Sequence, residues 1–315
     1  MLTLAHAGGS IAIHETKSAH ARALPFRRLV GGCDMSAALF MQSAAGGLLL
    51  GGIYGLLAMG LSLSWGLLKL VNLSHFALAF LGAYLTYQLG TSYGVPALFS
   101  GLVIVPLFFL FGVALHALFV RFKVKEFASL LVTFGITILI ESLIQWVWSA
   151  DYLRYETPYA QSTLSVGPVF VPVLDLAAFV CALLLAGGAW LALNKTMLGK
   201  ALRAAAHDAP IASAFGVNST RVAYVLAGLC SASAGVAGVF IALISTLAPS
   251  QIEAWIGVVF AVAIIGGLGN PIGAIGAGVL VGLAESLTMA AINPAWAPLV
   301  AFSILIVMLL RRPAL

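Results

Sequence analysis

The sequence predicts an all-α fold, a polytopic membrane helical bundle with eight or nine transmembrane helices, and three observations predict it. The chain of 315 residues is 62% apolar and only 8% charged, where soluble domains carry about a quarter charged residues. Its mean hydropathy is +1.10. No Asp, Glu, Lys or Arg occurs in the stretches 35–68, 70–120, 222–252, 254–284 and 286–310. Ten acids and fifteen bases are too few to clothe a water-soluble fold of 32.7 kDa. The apolar runs are continuous, not alternating, which disfavours a β-barrel. A disulfide scaffold is excluded, because only Cys33, Cys181 and Cys230 are present; they read as free thiols.

A helix that crosses the hydrocarbon core needs about 20 apolar residues. Placing breaks at turn residues gives spans at 42–64, 72–90, 96–120, 127–149, 172–193, 222–246, 253–268, 272–292 and 295–310. That is nine passes, or eight if one of the first two is re-entrant. Basic residues orient them. Arg121, Lys123 and Lys125 form one cluster, Lys195, Lys200, Arg203 and Arg221 a second, and Arg311 with Arg312 ends the chain. Nine passes put all of these on one side, which the positive-inside rule makes cytoplasmic, the C-terminus included. The opposite side takes the loop 150–171, with Asp151, Arg154 and Glu156. The net charge of +5 is spread too thinly for a nucleic-acid surface.

Residues 1–34 carry Lys17, Arg22, Arg27 and Arg28 but lack the layout of a signal peptide. They are expected to be an N-terminal extension, either disordered or not translated, with synthesis beginning at Met35. Residues 35–315 then form one transmembrane domain.

Glycine placement predicts how the spans pack. Gly47, Gly51 and Gly55 recur every four residues, as do Gly278 with Gly282 and Ser231 with Gly235. Lipid is as apolar as a leucine side chain, so helices gain from close backbone contact across small residues. The expected use is packing within the chain, and a contact with a second copy is the alternative.

Enzyme signatures are missing. The nearest approach to a phosphate loop, Gly199-Lys200, is followed by Ala201 and has Asn194 where the first glycine should stand. There is no HExxH, no CxxC and no potassium-filter sequence. No catalytic, cofactor-binding or metal-binding residue is assigned on this chain.

Three runs stand out instead. In 194–221, Thr196 can cap an Ala-rich helix reaching about His207. Asp208 can cap a second, short one, with Pro210 in its first turn and Gly216 as its stop. Gly199, Lys200, Arg203, Asp208, Phe215 and Gly216 would shape a rigid knob that either slots into another protein or lies on lipid headgroups. The second run holds Gly266, Gly267, Gly269, Pro271 and Gly273, a helix-breaking sequence that reads as a tight turn or as a pore element. The third contains Lys69, Asn72, Ser74 and His75. Lys69 can snorkel to the interface, and Asn72 and Ser74 can cap a new helix. Polar groups in apolar territory are expensive and face a bundle interior or an aqueous path, so Asn72, Ser74, His75 and the two intramembrane acids Glu141 and Glu285 are the candidate path residues. Helix, break and helix occur in both Gly60–Tyr84 and Ala263–Glu285, a faint internal echo.

Together, and in this order, these runs resemble the integral-membrane permease subunits of the bacterial branched-chain amino acid ABC importer family. The first motif reads Tyr54-Gly55-Leu56, Gly60 to Gly66, Asn72-Leu73-Ser74-His75 and Gly82-Ala83-Tyr84. The second, the family's coupling loop, reads Leu198-Gly199, Arg203-Ala204, Asp208, Ala212, Gly216-Val217-Asn218 and Arg221. The third reads Gly266, Gly267, Gly269, Gly273, Ala274 and Gly276, then Gly282 and Glu285, with Arg312-Pro313 at the end. Phe76 and His207 depart from it, where glycine and an acid or amide are usual.

The resemblance covers about residues 36–315. It implies a permease subunit of an ATP-driven importer in the bacterial plasma (inner) membrane, rocked between inward- and outward-open states. Implied partners are two cytosolic ABC ATPase subunits, a second permease subunit (related or identical) and an extracytoplasmic substrate-binding protein. ATP and Mg would bind the ATPases, not this chain. Branched-chain or other hydrophobic amino acids are the implied cargo; urea, a short amide or a small carboxylate fits the same family. The competing expectations are a stand-alone ion-coupled secondary transporter or channel, in which Glu141 and Glu285 would bind the ion, and a membrane scaffold or intramembrane enzyme.

Overall fold

A computed structural model describes residues 37–311, apart from Pro158 and Gln161. The extension 1–34, Met35, Cys33 and the closing Arg312-Pro313 lie outside the described residues. The elements run α1 (Ala37–Leu68), α2 (Ser74–Tyr93), α3 (Ala97–Phe122), α4 (Glu126–Trp148), β1 (Thr163–Val166), β2 (Val169–Pro172), α5 (Val173–Lys195), α6 (Met197–His207), α7 (Ala209–Ala214), α8 (Ser219–Ile244), α9 (Gln251–Gly266), α10 (Pro271–Ala291) and α11 (Ala297–Arg311).

This is an all-α, multi-pass membrane protein. Among the described residues, seven helices are long and apolar enough to cross a bilayer, and the shorter α9 adds an apolar segment of 16 residues. α2, with 20 residues, is less apolar for a physical reason. Every residue from Ser74 to Phe80 is buried, so this helix faces protein and needs no lipid-compatible surface. Every span expected from the sequence coincides with a helix. The main differences are that α1 is longer at both ends and that a small hairpin, β1–β2, stands in the loop between α4 and α5. Gly167, with φ +61°, opens its two-residue turn, the role for which glycine is suited.

α1 and α10 form the axis of the fold, and their glycines explain why. A Cβ on Gly51 would lie 2.6 Å from the Gly278 carbonyl oxygen, one on Gly47 2.7 Å from that of Gly282, and one on Gly55 2.8 Å from Ile275 Cα. The every-fourth glycines of the two helices thus close on each other within one chain. α8 packs against α2 and α3 in the same manner. Ala79 and Gly82 meet Gly238, and Ser231 meets Gly112.

One end of the bundle carries the clustered bases. α3 and α5 finish there, α4 and α8 begin there, and α11 ends there at Arg311. The other end is tied by backbone pairing of Leu153 with Leu247, at 2.9 and 2.7 Å, and by Gln42, whose amide bonds both backbone groups of Phe170. Tyr155 lies against Gly90 in the space a side chain would fill. Its burial, with Tyr159 nearby, raises its hydroxyl pKa above the ordinary value.

Candidate functional site

At the α1–α2 break the backbone leaves the helix while buried in protein. Lys69 takes a left-handed conformation, φ 56°, and is exposed, while Val71 to His75 are buried. Buried amides and carbonyls released by a break need partners, since lipid provides none. α4 supplies them. Ser129 Oγ accepts from the Val71 amide (3.1 Å) and Thr133 Oγ1 from the Leu73 amide (3.0 Å), while both hydroxyls approach the Val71 carbonyl. Ser64 Oγ donates to the Leu70 carbonyl at 3.1 Å.

Asn72, Ser74 and His75 are brought together here, though not as the expected caps. Leu73 occupies the N-cap of α2, with no side-chain cap bond. Ser74 Oγ instead donates to Asn72 Oδ1 at 2.6 Å, because the break turns directly into the helix and leaves no extended residue from which a side chain could reach back. His75 Nε2 lies 3.1 Å from the Leu57 carbonyl; a carbonyl only accepts, so Nε2 carries the proton. The histidine ring fills the space beside Gly60, together with Ser233. Phe76, the departure from the family pattern, is buried in the core.

The α9–α10 turn docks on the same stretch of α1. Gly267 and Gly269 have φ +86° and +81°, open to glycine and strained for other residues. The Gly269 amide donates to both the carbonyl and Oγ of Ser62, and Ser62 Oγ donates to the Gly267 carbonyl. Asn270 Oδ1 caps α10 through the Gly273 amide, 3.1 Å, with Pro271 in the first turn. A side chain on Gly66 would overlap Gly269, and one on Gly273 would overlap Gly266.

The two acids part company. Glu285 is buried on α10 and accepts from the Tyr54 hydroxyl at 2.9 Å; Tyr54 stands edge-on to Trp255, centroids 5.6 Å apart. Glu141 sits half-exposed on α4, bonded by Gln145 at 3.2 Å, with Leu139 and Leu143 exposed on the same helix.

The knob takes the expected form. Thr196 Oγ1 accepts from the Gly199 amide, Asp208 Oδ1 from the Ile211 amide and Asn218 Oδ1 from the Arg221 amide, at 2.9–3.1 Å. After α7 the chain closes in a Schellman turn. The Val217 amide donates to the Ala212 carbonyl and the Gly216 amide to that of Ser213, with Gly216 at φ +83°. Gly199 lies against the α5 backbone at Ala192 and Leu193, and Arg203 Nη1 donates to Asn194 Oδ1 at 2.9 Å. Leu202 and Ala212 are buried, whereas Met197, Ile211 and Phe215 are 80%, 58% and 85% exposed. Lys200 and Asp208 are also on the surface.

Beside the knob, α1, α3, α5, α6 and α8 line an apolar groove of about 390 Å³ that opens at the surface along Leu184 and Leu229. Met59, Leu63, Leu185, Leu202 and Leu226 line it, and Ser233 adds a hydroxyl. Sequence reasoning missed Ser129 and Thr133, and it held Tyr54 and Ser62 only as members of the first motif, without their polar partners. Ser129, Thr133 and Thr137 could have been found, since hydroxyls every fourth residue on an apolar helix mark one buried face.

The family model for the permease component of the branched-chain amino acid transport system matches residues 43–309. The chain is 25% identical over 292 residues to the high-affinity branched-chain amino acid transport system permease protein BraD of Pseudomonas aeruginosa, covering 87% of this chain and 94% of that protein. It is 23% identical over 302 residues to the permease protein LivH of Escherichia coli K12, with the same coverage. A probable LivH permease of Methanocaldococcus jannaschii is 28% identical over 247 residues, covering 74% of this chain and 76% of that one. No solved structure matches. The chain therefore belongs to the family of permease components of branched-chain amino acid transport systems.

Proposed function

We propose that this chain is one permease subunit of an ATP-driven importer for branched-chain or other hydrophobic amino acids. The observation that carries the proposal is the knob α6–α7. It is capped at each helix start, closed by a left-handed glycine, and still leaves Met197, Ile211 and Phe215 uncovered. Rigid, exposed apolar groups beside Lys200 and Arg203 suit a groove on a protein partner, and two cytosolic ABC ATPases are the partners that fit a transport permease. ATP and Mg act on those subunits. A second permease, identical or related, completes the pore, and an extracytoplasmic binding protein delivers the cargo. The base-rich end and the C-terminus then face the cytoplasm of a bacterial inner membrane.

In this reading ATPase closure pushes α6. Gly199 rests on α5, and both Gly199 and Leu202 line the apolar groove, so displacement of α6 changes the groove's shape. That gives a mechanical link between ATP hydrolysis and rocking of the bundle. The apolar lining supports cargo with a hydrophobic side chain. Asn72, Ser74, His75, Glu141 and Glu285 are proposed to bear on the path, His75 through its place beside Gly60 and Ser233.

The test is recovery of the tagged chain from native membranes in mild detergent, with mass spectrometry of what accompanies it. Stoichiometric recovery of one or two P-loop ATPases is expected. Recovery of this chain alone, in a detergent that preserves known complexes, combined with ion-driven uptake by liposomes holding only this chain, would overturn the proposal in favour of a secondary transporter.

A further inference from the structure

Beside the α1–α2 break, α3 and α8 enclose a much smaller cavity of about 20 Å³. Its walls include Ser64 and Asn72 of the break, His116 of α3 and Ser231 of α8. A polar cavity needs roughly 10–15 Å³ to hold one water molecule. His116 is 8% exposed and Ser231 1%. Among the described residues, His116 Nδ1 and Ser231 Oγ are buried polar atoms that hydrogen-bond no other group of the chain. Each such atom, buried without a partner, would cost about 1–3 kcal/mol. The polar neighbours are turned elsewhere: Ser64 Oγ donates to the Leu70 carbonyl and Asn72 Oδ1 accepts from Ser74, and neither bonds His116 or Ser231.

We propose that this cavity is a hydration site, in which one water molecule bridges His116 Nδ1 and Ser231 Oγ, with Asn72 as its third polar wall. A bound water here joins three elements that no direct polar bond connects at this point: α3, α8 and the break. α8 begins at the Asn218 cap, immediately after the knob, so the bridge lies on the helix through which motion of α6–α7 would enter the bundle. It holds α8 to α3 by hydrogen bonds that can be exchanged one for another, unlike interlocked side chains. Gly112 keeps the opening clear; a Cβ there would press on Ser231.

A crystal structure of the full chain in a lipidic phase, at about 2 Å, reads the site directly. One density peak within hydrogen-bond distance of both atoms is expected. A peakless site with both side chains ordered, or a direct His116–Ser231 bond, would overturn the proposal. Ser231→Ala gives the independent reading, since it removes one end of the bridge and little else. The peak should disappear and the melting temperature should fall by a few degrees. An unchanged melting temperature with the peak still in place would mean that the water does not serve Ser231, which also overturns it. Neither measurement depends on ATPase partners, so failure here is distinct from failure of the importer reading.

Discussion

Ser62 of α1 and Gly269 of the α9–α10 turn hold the turn against the helix. The Gly269 amide lies 2.9 Å from the Ser62 carbonyl and 3.0 Å from its Oγ, and that hydroxyl in turn donates to the Gly267 carbonyl at 3.0 Å. The two segments that echo each other in sequence, 60–84 and 263–285, therefore touch where the break of the second meets the helix of the first. Ser62→Ala leaves the Gly269 amide on the Ser62 carbonyl but takes the donor from the half-buried Gly267 carbonyl, at a cost of about 0.5–1.5 kcal/mol. Thermal unfolding in detergent should show a clear fall in melting temperature, and Ser62→Thr should recover most of it. An alanine variant as stable as the parent would mean that the docked turn gains nothing from Ser62.

Thr133 and Ser129 should matter through the backbone they serve. Thr133→Val keeps the shape but leaves the Leu73 amide without its acceptor, and about 1–3 kcal/mol of stability is expected to go with it. Thr133→Ser should be close to neutral. Equal losses for Val and Ser would point to packing at the methyl group, not to the hydroxyl.

Gly51 and Gly46 make a matched pair on α1. A side chain on Gly51 would lie 2.6 Å from the Gly278 carbonyl oxygen, while Gly46 has nothing within 4 Å. Gly51→Val should force α1 from α10 at a cost of about 1–3 kcal/mol or more, seen as loss of monodisperse protein on size exclusion. Gly46→Val should behave like the parent. Similar damage from both would mean that the close approach of α1 to α10 is not the cause, since valine is no worse a helix former than glycine.

Gly216→Val tests the coupling proposal. Gly216 has open space around it but a φ of +83°, a conformation that a β-branched residue adopts only at a cost of about 1–3 kcal/mol. The bundle should still fold, because the strain falls on the exposed knob, and ATP hydrolysis should become uncoupled from transport in the reconstituted importer. Normal substrate-stimulated hydrolysis in this variant would refute the role given to the knob.

Glu285→Gln separates the importer from an ion-coupled carrier. Glutamine retains a carbonyl to accept from Tyr54 but can neither bind nor release a proton. Glu285 bears on the path through its bond to Tyr54, which glutamine keeps, so uptake by the assembled importer should stay within about twofold of the parent, a barrier change well under the roughly 1.4 kcal/mol of a tenfold effect. Loss of uptake with normal folding would assign the carboxyl an ionic role.

Much of the architecture was legible because its causes are local. Gaps between charges placed every span, since a charge in hydrocarbon is costly wherever the chain goes next. Thr196 and Asp208 were readable as caps because a cap bond reaches only two or three residues. The same logic failed at Asn72 and Ser74. There the hydroxyl and amide bond each other, and the orphaned backbone is served by α4, about 60 residues away.

Hydropathy, caps and left-handed glycines act over a few residues, so the sequence alone revealed a membrane bundle, the rough position of each helix and the shape of the exposed knob. Tertiary structure alone decided which glycines meet, that Tyr54 donates to Glu285 across 231 positions of sequence, that Glu141 stays apart from them, and that His116 and Ser231 share one small cavity. Those relationships depend on helices distant in the chain approaching closely, and spacing along a sequence carries no record of which helix becomes the neighbour.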